Sequence, residues 1–247
     1  MPAETLANVE IGVQKEYYDR YWSARSAVLN SHELLRLAKI LEGIARISER
    51  PGGDWTICDL GCGIGWLSNE LVKFGQVTGV DLSAEGVQIA GRHWPAVTFI
   101  AHDILTWKAP QPFDLVISSE VAEHVPDKQR FRDAILAATR PGGHFIITTP
   151  NERMRAIWDA SKLGAQLIEQ WSTPGELREL FGAGATVLWH QTFLFDFAYT
   201  RSARVLSAPK LLNVITRLGL LPIYNALRET ANAGLYQVLL GRKHGAG

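Results

Sequence analysis

Two stretches of the chain set chemically useful residues at useful spacings. In Ser119-Glu120-Val121-Ala122-Glu123-His124-Val125, two carboxylates and an imidazole follow the order E-x-x-E-H. If this loop curls into a helical turn, positions three and four apart come together and the three groups converge on one point. Oxygen-rich ligation with one histidine suits a hard divalent cation such as Mg or Mn. The same imidazole, acting alone, can take a proton from a hydroxyl nucleophile. Spacing leaves both uses open. Upstream, Ile57-Cys58-Asp59-Leu60-Gly61-Cys62-Gly63-Ile64-Gly65 carries an apolar run into three glycines at alternate positions. Glycine accepts backbone angles that other residues resist and leaves no side chain in the way, so a ligand is expected to approach the N–H groups of this loop. A dinucleotide loop would place a third glycine where this chain has Trp66.

The elements that must hold these residues follow from pattern. The apolar run before Gly61 reads as a strand, the glycines as a tight loop, and Leu67, Leu71 and Val72 as the buried face of a helix. Gln76 to Asp81 reads as a second strand ending in an acid, and Ser83 can cap the helix after it. Val97 to Ile100 leads into Ala101-His102-Asp103-Ile104, Phe113 to Ser119 forms a fourth strand, and Arg140 to Pro150 a turn and a fifth. In such alternating strand–helix order the sheet is mostly parallel, and ligands bind at the carboxyl ends of its strands.

Residues 55 to 150 resemble the class I S-adenosylmethionine-dependent methyltransferases. Asp59, Gly61, Gly63 and Gly65 match motif I of that family, D-x-G-x-G-x-G, and the later landmarks occur in order. The resemblance implies a Rossmann-like α/β fold with a seven-stranded, mostly parallel sheet, an antiparallel final strand and helices on both faces. It implies S-adenosylmethionine as cofactor, bound by Asp59, Gly61, Cys62, Gly63, Gly65, Asp81, Leu82, Asp103, Ile104, Ser119 and Glu120. In that picture Asp81 takes the ribose hydroxyls and Asp103 meets the adenine amino group. The Glu120, Glu123, His124 cluster is similar to that of ubiquinone-pathway O-methyltransferases and of small-RNA 3′-terminal 2′-O-methyltransferases, in which these positions ligate a divalent metal. Metal-free relatives carry the same stretch, and there Glu120 would orient the cofactor, Glu123 would be solvated and His124 would act alone.

Composition narrows the partners. The 25 basic and 25 acidic residues cancel, and no dense basic stripe points to nucleic acid. Acids outnumber bases before residue 150 and the reverse holds after it. The only cysteines, Cys58 and Cys62, lie in the first strand and loop and read as packing residues in a reducing cytoplasm. Neither a signal peptide nor an uninterrupted apolar stretch of membrane-spanning length is present, so a cytoplasmic protein without a membrane span is expected.

The chain reads as one domain over residues 1–247, with three additions. Residues 1–30 carry Tyr17, Tyr18, Tyr21 and Trp22 at helical spacing, which suits either a lid over a ligand or plain docking of a helix. Residues 31–47 form a core helix through Leu34, Leu37, Ala38, Leu41, Ile44 and Ala45. Residues 151–171 and 194–233 interrupt the family pattern as inserted cap segments. The second insertion, with its aromatic start, basic residues and apolar helix, admits four uses: a substrate lid, a homodimer contact, an RNA-stacking surface or a membrane-facing helix. Between the insertions, Ser172-Thr173-Pro174-Gly175-Glu176 signs a helix start, Thr186 to Phe193 a sixth strand, and Leu235 to Leu240 the final one.

The expected reaction is methyl transfer to a small-molecule hydroxyl with His124 as base or metal ligand. His102, His144 and His190 read as structural. Methylation of an RNA 3′ end and a non-catalytic cofactor-binding module are the alternatives.

Overall fold

The computed structural model describes residues 10–25, 29–47, 54–155, 167–194, 209–221, 223–224 and 234–245. Most of the two expected insertions therefore lies outside the described residues.

Every strand of the central sheet alternates apolar residues toward both faces, because successive side chains of a strand point to opposite sides. In β1 (Trp55–Leu60) Ile57 faces one side and Cys58 the other. The pairs Leu115 and Val116 in β4 (Phe113–Ser119), Ile146 and Ile147 in β5 (Thr139–Pro150), and Val238 and Leu239 in β7 (Tyr236–Lys243) divide in the same way. Burial on both faces demands helices on both, as expected for a parallel sheet. One layer packs α2 (Ser31–Ala45) and α3 (Trp66–Leu71) through Ile40, Ile44, Leu67 and Leu71. The other packs α5 (Lys128–Ala138) and α6 (Pro174–Gly182) through Phe131, Ile135, Leu177 and Phe181.

With β2 (Gly75–Asp81), β3 (Thr98–Ala101) and β6 (Ala185–Phe193), the seven-stranded sheet runs in the order β3-β2-β1-β4-β5-β7-β6. Strands β1 to β5 pair in parallel, and β7 is antiparallel to β5 and β6. The expected fold class is thus the observed one. Register brings Leu60, Asp81, Ser119 and Pro150 to the same edge. Because β7 runs the other way, its first residue, Tyr236, pairs with Pro150 and reaches that edge too.

Two helices lie across this edge. In α1 (Ile11–Ser23), Asp19 accepts hydrogen bonds from Ser83 Oγ (2.6 Å) and the Glu85 N–H (3.1 Å), which docks α1 on the first turn of α4 (Ala84–His93). Helix α2 opens with a reciprocal cap, in which Asn30 and Glu33 bond each other's backbone N–H. Of its expected face Ile44 is buried and Leu37 and Leu41 pack partly on the core, but Leu34 is 52% exposed and Ala38 and Ala45 are exposed; the buried face is rotated to take in Glu33, Ile40 and Gly43. The displaced register turns Glu33 and Arg36 toward the sheet edge, so α2 serves the site as well as the core.

Candidate functional site

The glycine loop positions a cofactor by what it lacks. Gly61, Gly63 and Gly65 all adopt the left-handed region, at φ of 86°, 53° and 77°. A Cβ on Gly61 would stand 2.2 Å from Val121, and one on Gly63 2.4 Å from the Trp22 indole. One on Gly65 would meet Phe99 at 2.5 Å, so this glycine allows close packing against β3. Four of the loop N–H groups have partners within the protein. The Gly61 and Cys62 N–H groups donate to Val80 O, Gly63 N–H to Asp81 Oδ2 (2.7 Å) and Gly65 N–H to Cys62 O. These donors are already satisfied inside the protein, which fixes the loop before any ligand arrives.

Asp81 also accepts the Ser83 N–H at Oδ1 (2.9 Å), so each of its oxygens holds one backbone donor and keeps lone-pair capacity for another. Asp103 braces its own turn through the Leu105 N–H (2.9 Å). A cavity of about 270 Å³ is lined by Gly61, Asp81, Leu82, Asp103, Ile104, Glu120 and Val121, with Tyr18, Trp22 and His124 above. This is the place and lining an adenosine group needs. Asp59 lies deeper, buried, accepting Ser68 Oγ at 2.6 Å, and burial pushes its carboxyl up to about 7. Cys62 and Cys58 are buried, which raises both thiols and keeps them inert.

A second, larger cavity of about 580 Å³ adjoins the first through shared residues Tyr18, Trp22, Gly61, Glu120 and His124. Its lining draws together Asp59, Cys62, Ser119, Glu120, Glu123 and His124 with Arg36, Glu169, Trp171 and Tyr236. Gly63 and Gly65 line neither cavity; the packing just described is what requires glycine there.

The E-x-x-E-H loop does curl. Glu120 leaves β4 at φ 58°, an uncommon conformation for a residue with a side chain, and Ala122–His124 forms a 3-10 turn. Thr148 Oγ1 donates to Glu120 Oε1 (3.2 Å) and pairs with Ser119 Oγ (2.8 Å), while Arg36 Nη1 stands 3.7 Å from Glu120 Oε2. Glu123 is only 2% exposed and accepts Thr149 Oγ1 at 3.0 Å, so it is not the solvated acid of the metal-free reading. Burial raises Glu120 and Glu123, their mutual repulsion adding to the effect on Glu120.

His124 is held in one tautomer. Its Nδ1 lies 2.9 Å from Ile168 O, and because a carbonyl only accepts, Nδ1 carries the proton. Nε2 is left as a lone pair 3.6 Å from Glu123 Oε1. Burial lowers the imidazole's pKa, which keeps the ring neutral. The clamp is tightened nearby. Gln170 N–H donates to Glu123 O (2.8 Å), and Lys128 donates to both Ala122 O and Gln170 O. Among the described residues no three His, Cys, Asp or Glu side chains form a group able to hold a metal ion.

Pattern reasoning missed Arg36, Glu169, Trp171 and Tyr236. Arg36 Nε and Trp22 Nε1 are buried without a hydrogen-bond partner among the described residues, and both side chains line the larger cavity. Buried donors left open this way are suited to an anionic ligand group. The mixed polarity of α2, with Glu33 and Arg36 on its inner face, was the available signal. Of the histidines expected to be structural, His190 is braced by Arg178 and Gln237 and His144 is buried, whereas His102 is exposed; none of the three lines either cavity, but His32 lines the larger one.

A methyltransferase domain family model matches residues 29–191. The ubiquinone biosynthesis O-methyltransferase of Cupriavidus pinatubonensis is 34% identical over 170 residues, covering 65% of this chain and 66% of that one. Its counterpart from Serratia proteamaculans is 32% identical over 177 residues, covering 67% and 70%. The match thus takes in about two thirds of these relatives' length. Among solved structures, N-methyltransferase NodS from Bradyrhizobium japonicum, in complex with S-adenosyl-L-homocysteine, aligns with a TM-score of 0.61 at 15% identity over 95% of this chain and 99% of its own. That likeness speaks to fold alone. Taken with the cradle and cavities at the sheet edge, the family match identifies the chain as a member of the class I S-adenosylmethionine-dependent methyltransferases.

Proposed function

We propose that the protein transfers the methyl group of S-adenosylmethionine to a hydroxyl of a small-molecule acceptor, with His124 as the base. The observation that carries this reading is the neutral His124, a residue that lines both cavities, whose Nδ1–H is committed to Ile168 O and whose Nε2 keeps its lone pair. Relatives named as O-methyltransferases, at 32–34% identity, support the choice of oxygen.

S-adenosylmethionine, when bound, supplies an activated methyl on a sulfonium. The chain's own residues do the rest. Asp81, Leu82, Asp103 and Ile104 hold the nucleoside end, and Arg36 with Trp22 Nε1 offers donors to the carboxylate end. Asp59, Glu120 and Glu123 surround the cavity with carboxyls that favour a cationic ligand. Tyr18, Trp22 and Trp171 give apolar walls that exclude water and orient the acceptor. His124 Nε2 then takes the acceptor's hydroxyl proton as the C–O bond forms, and general-base help of this kind contributes about 10²–10⁴-fold. Helix α1 serves as a cap over both cavities, and Glu169 and Trp171 close the larger one.

The test is transfer of labelled methyl from S-adenosylmethionine to a panel of phenols, sugars and short RNA. Turnover on a phenol or sugar that survives exhaustive chelation supports the reading. Loss on chelation with recovery in Mg or Mn would revive the metal reading. Turnover confined to RNA, or none with tight cofactor binding, would replace it with one of the other two.

A further inference from the structure

We propose that helix α7 (Pro209–Arg217) docks the protein peripherally on an anionic lipid surface. Its apolar residues share one face: at about 100° per residue, Leu211, Val214, Ile215 and Leu218 fall within one arc, with Asn213 and Thr216 opposite. The helix is properly finished rather than frayed. Gly219 at φ 69° donates to Thr216 O and Leu220 N–H donates to Ile215 O, a Schellman pair that ends the helix. Yet this finished element leaves large apolar side chains in water. Val214 is 51% exposed, Leu218 65% and Ile223 59%.

Neither cavity is lined by any of residues 209–224, so the described part of this segment does not act as a lid. Charge selects among the other occupants. From Phe197 to Arg228 the sequence carries Arg201, Arg204, Lys210, Arg217 and Arg228 and not one Asp or Glu. An apolar stripe that ends on Arg217, within a stretch of sequence that carries cations and no acid, suits the boundary between acyl chains and anionic headgroups. A second copy of the same surface would repel it, and a stripe of a few side chains falls well short of the roughly 800 Å² per partner of a stable interface. Among the described residues no helix is long and apolar enough to cross a membrane, so the association is with the surface.

The experiment is sedimentation of the full chain with phosphatidylcholine vesicles, either pure or containing one third phosphatidylglycerol, at low and high salt. Binding to the phosphatidylglycerol vesicles, lost in salt and weak on pure phosphatidylcholine, is expected. Leu218→Glu and Arg217→Glu should each weaken it on the order of tenfold or more. Leu188→Glu, at a 50% exposed apolar residue of β6, should leave it unchanged. Thermal unfolding checks that each variant is folded. The inference is overturned by wild-type protein that ignores both vesicles. It is equally overturned if folded Leu218→Glu binds as well as wild type, or if light scattering shows a dimer that Leu218→Glu dissociates while vesicles are ignored. It does not depend on which acceptor is methylated.

Discussion

The two cavities at the sheet edge, which we assign to cofactor and acceptor, are built in opposite ways. At the cofactor edge, one loop and the ends of β1, β2 and β3 supply nearly everything, and backbone hydrogen bonds hold the shape: Gly63 N–H on Asp81, Ser83 N–H on Asp81, Leu105 N–H on Asp103. On the acceptor side, α1, α2, the turn after β4, residues 168–171 and the first residue of β7 each contribute between one and four residues. A fixed ligand can be met by a rigid local motif. A variable acceptor is met by side chains from separate segments, which can be exchanged one at a time without disturbing the cradle.

The sharpest way to break this contrast is His124→Gln. The amide lacks a basic nitrogen, so methyl transfer should fall about 10²–10⁴-fold while S-adenosylhomocysteine binds as before. Single-turnover kinetics and calorimetry read the two separately, and a joint loss would mean that the acceptor side also supports the cradle.

Asp81→Ala strikes the other edge. It removes the acceptor of Gly63 N–H along with any ribose hydrogen bonds, and S-adenosylhomocysteine affinity should weaken by about 2–4 kcal/mol, measured by calorimetry. Unchanged affinity in the folded variant would sink the assignment of that cavity to the nucleoside.

Arg36→Met sharpens where one region ends and the other begins. If its open guanidinium holds the cofactor's carboxylate, S-adenosylhomocysteine should lose about 1.5–3 kcal/mol of binding. Methylthioadenosine, which has no carboxylate, should lose nothing. Equal losses for both ligands would assign Arg36 to bracing Glu120 instead.

The smallest expected effect is electrostatic. Burial lifts Asp59 to about 7 and raises Asp81, Glu120 and Glu123 as well. A sulfonium favours their ionised forms, so its binding lowers these pKa values and releases protons near neutrality. S-adenosylmethionine affinity should therefore rise severalfold between about pH 6 and 8, and more steeply than that of uncharged-sulfur S-adenosylhomocysteine. Parallel curves for the two ligands would show that these acids do not sense the sulfonium.

By itself, the sequence determined the succession of strands in the first half, the glycine loop between β1 and α3 and the position of the E-x-x-E-H loop after β4. Those features are local, since a strand followed by glycines and an acid at a strand end are written in adjacent residues and constrained by backbone geometry. The sixth and final strands and the capped α6 were legible for the same reason. What only the tertiary structure decided is which polar groups meet. Tyr236 reaches the site because β7 runs antiparallel, and Arg36 because α2 is rotated from its apparent apolar face. The tautomer of His124 is set by Ile168 O, a carbonyl 44 residues away in sequence. Glu123 is buried on Thr149 rather than solvated, and the loop N–H groups are spent within the protein, because both partners come from neighbouring strands. Hydrogen bonds between segments distant in the chain leave no periodic trace in it, and such bonds fix His124 and Glu123 in the larger cavity.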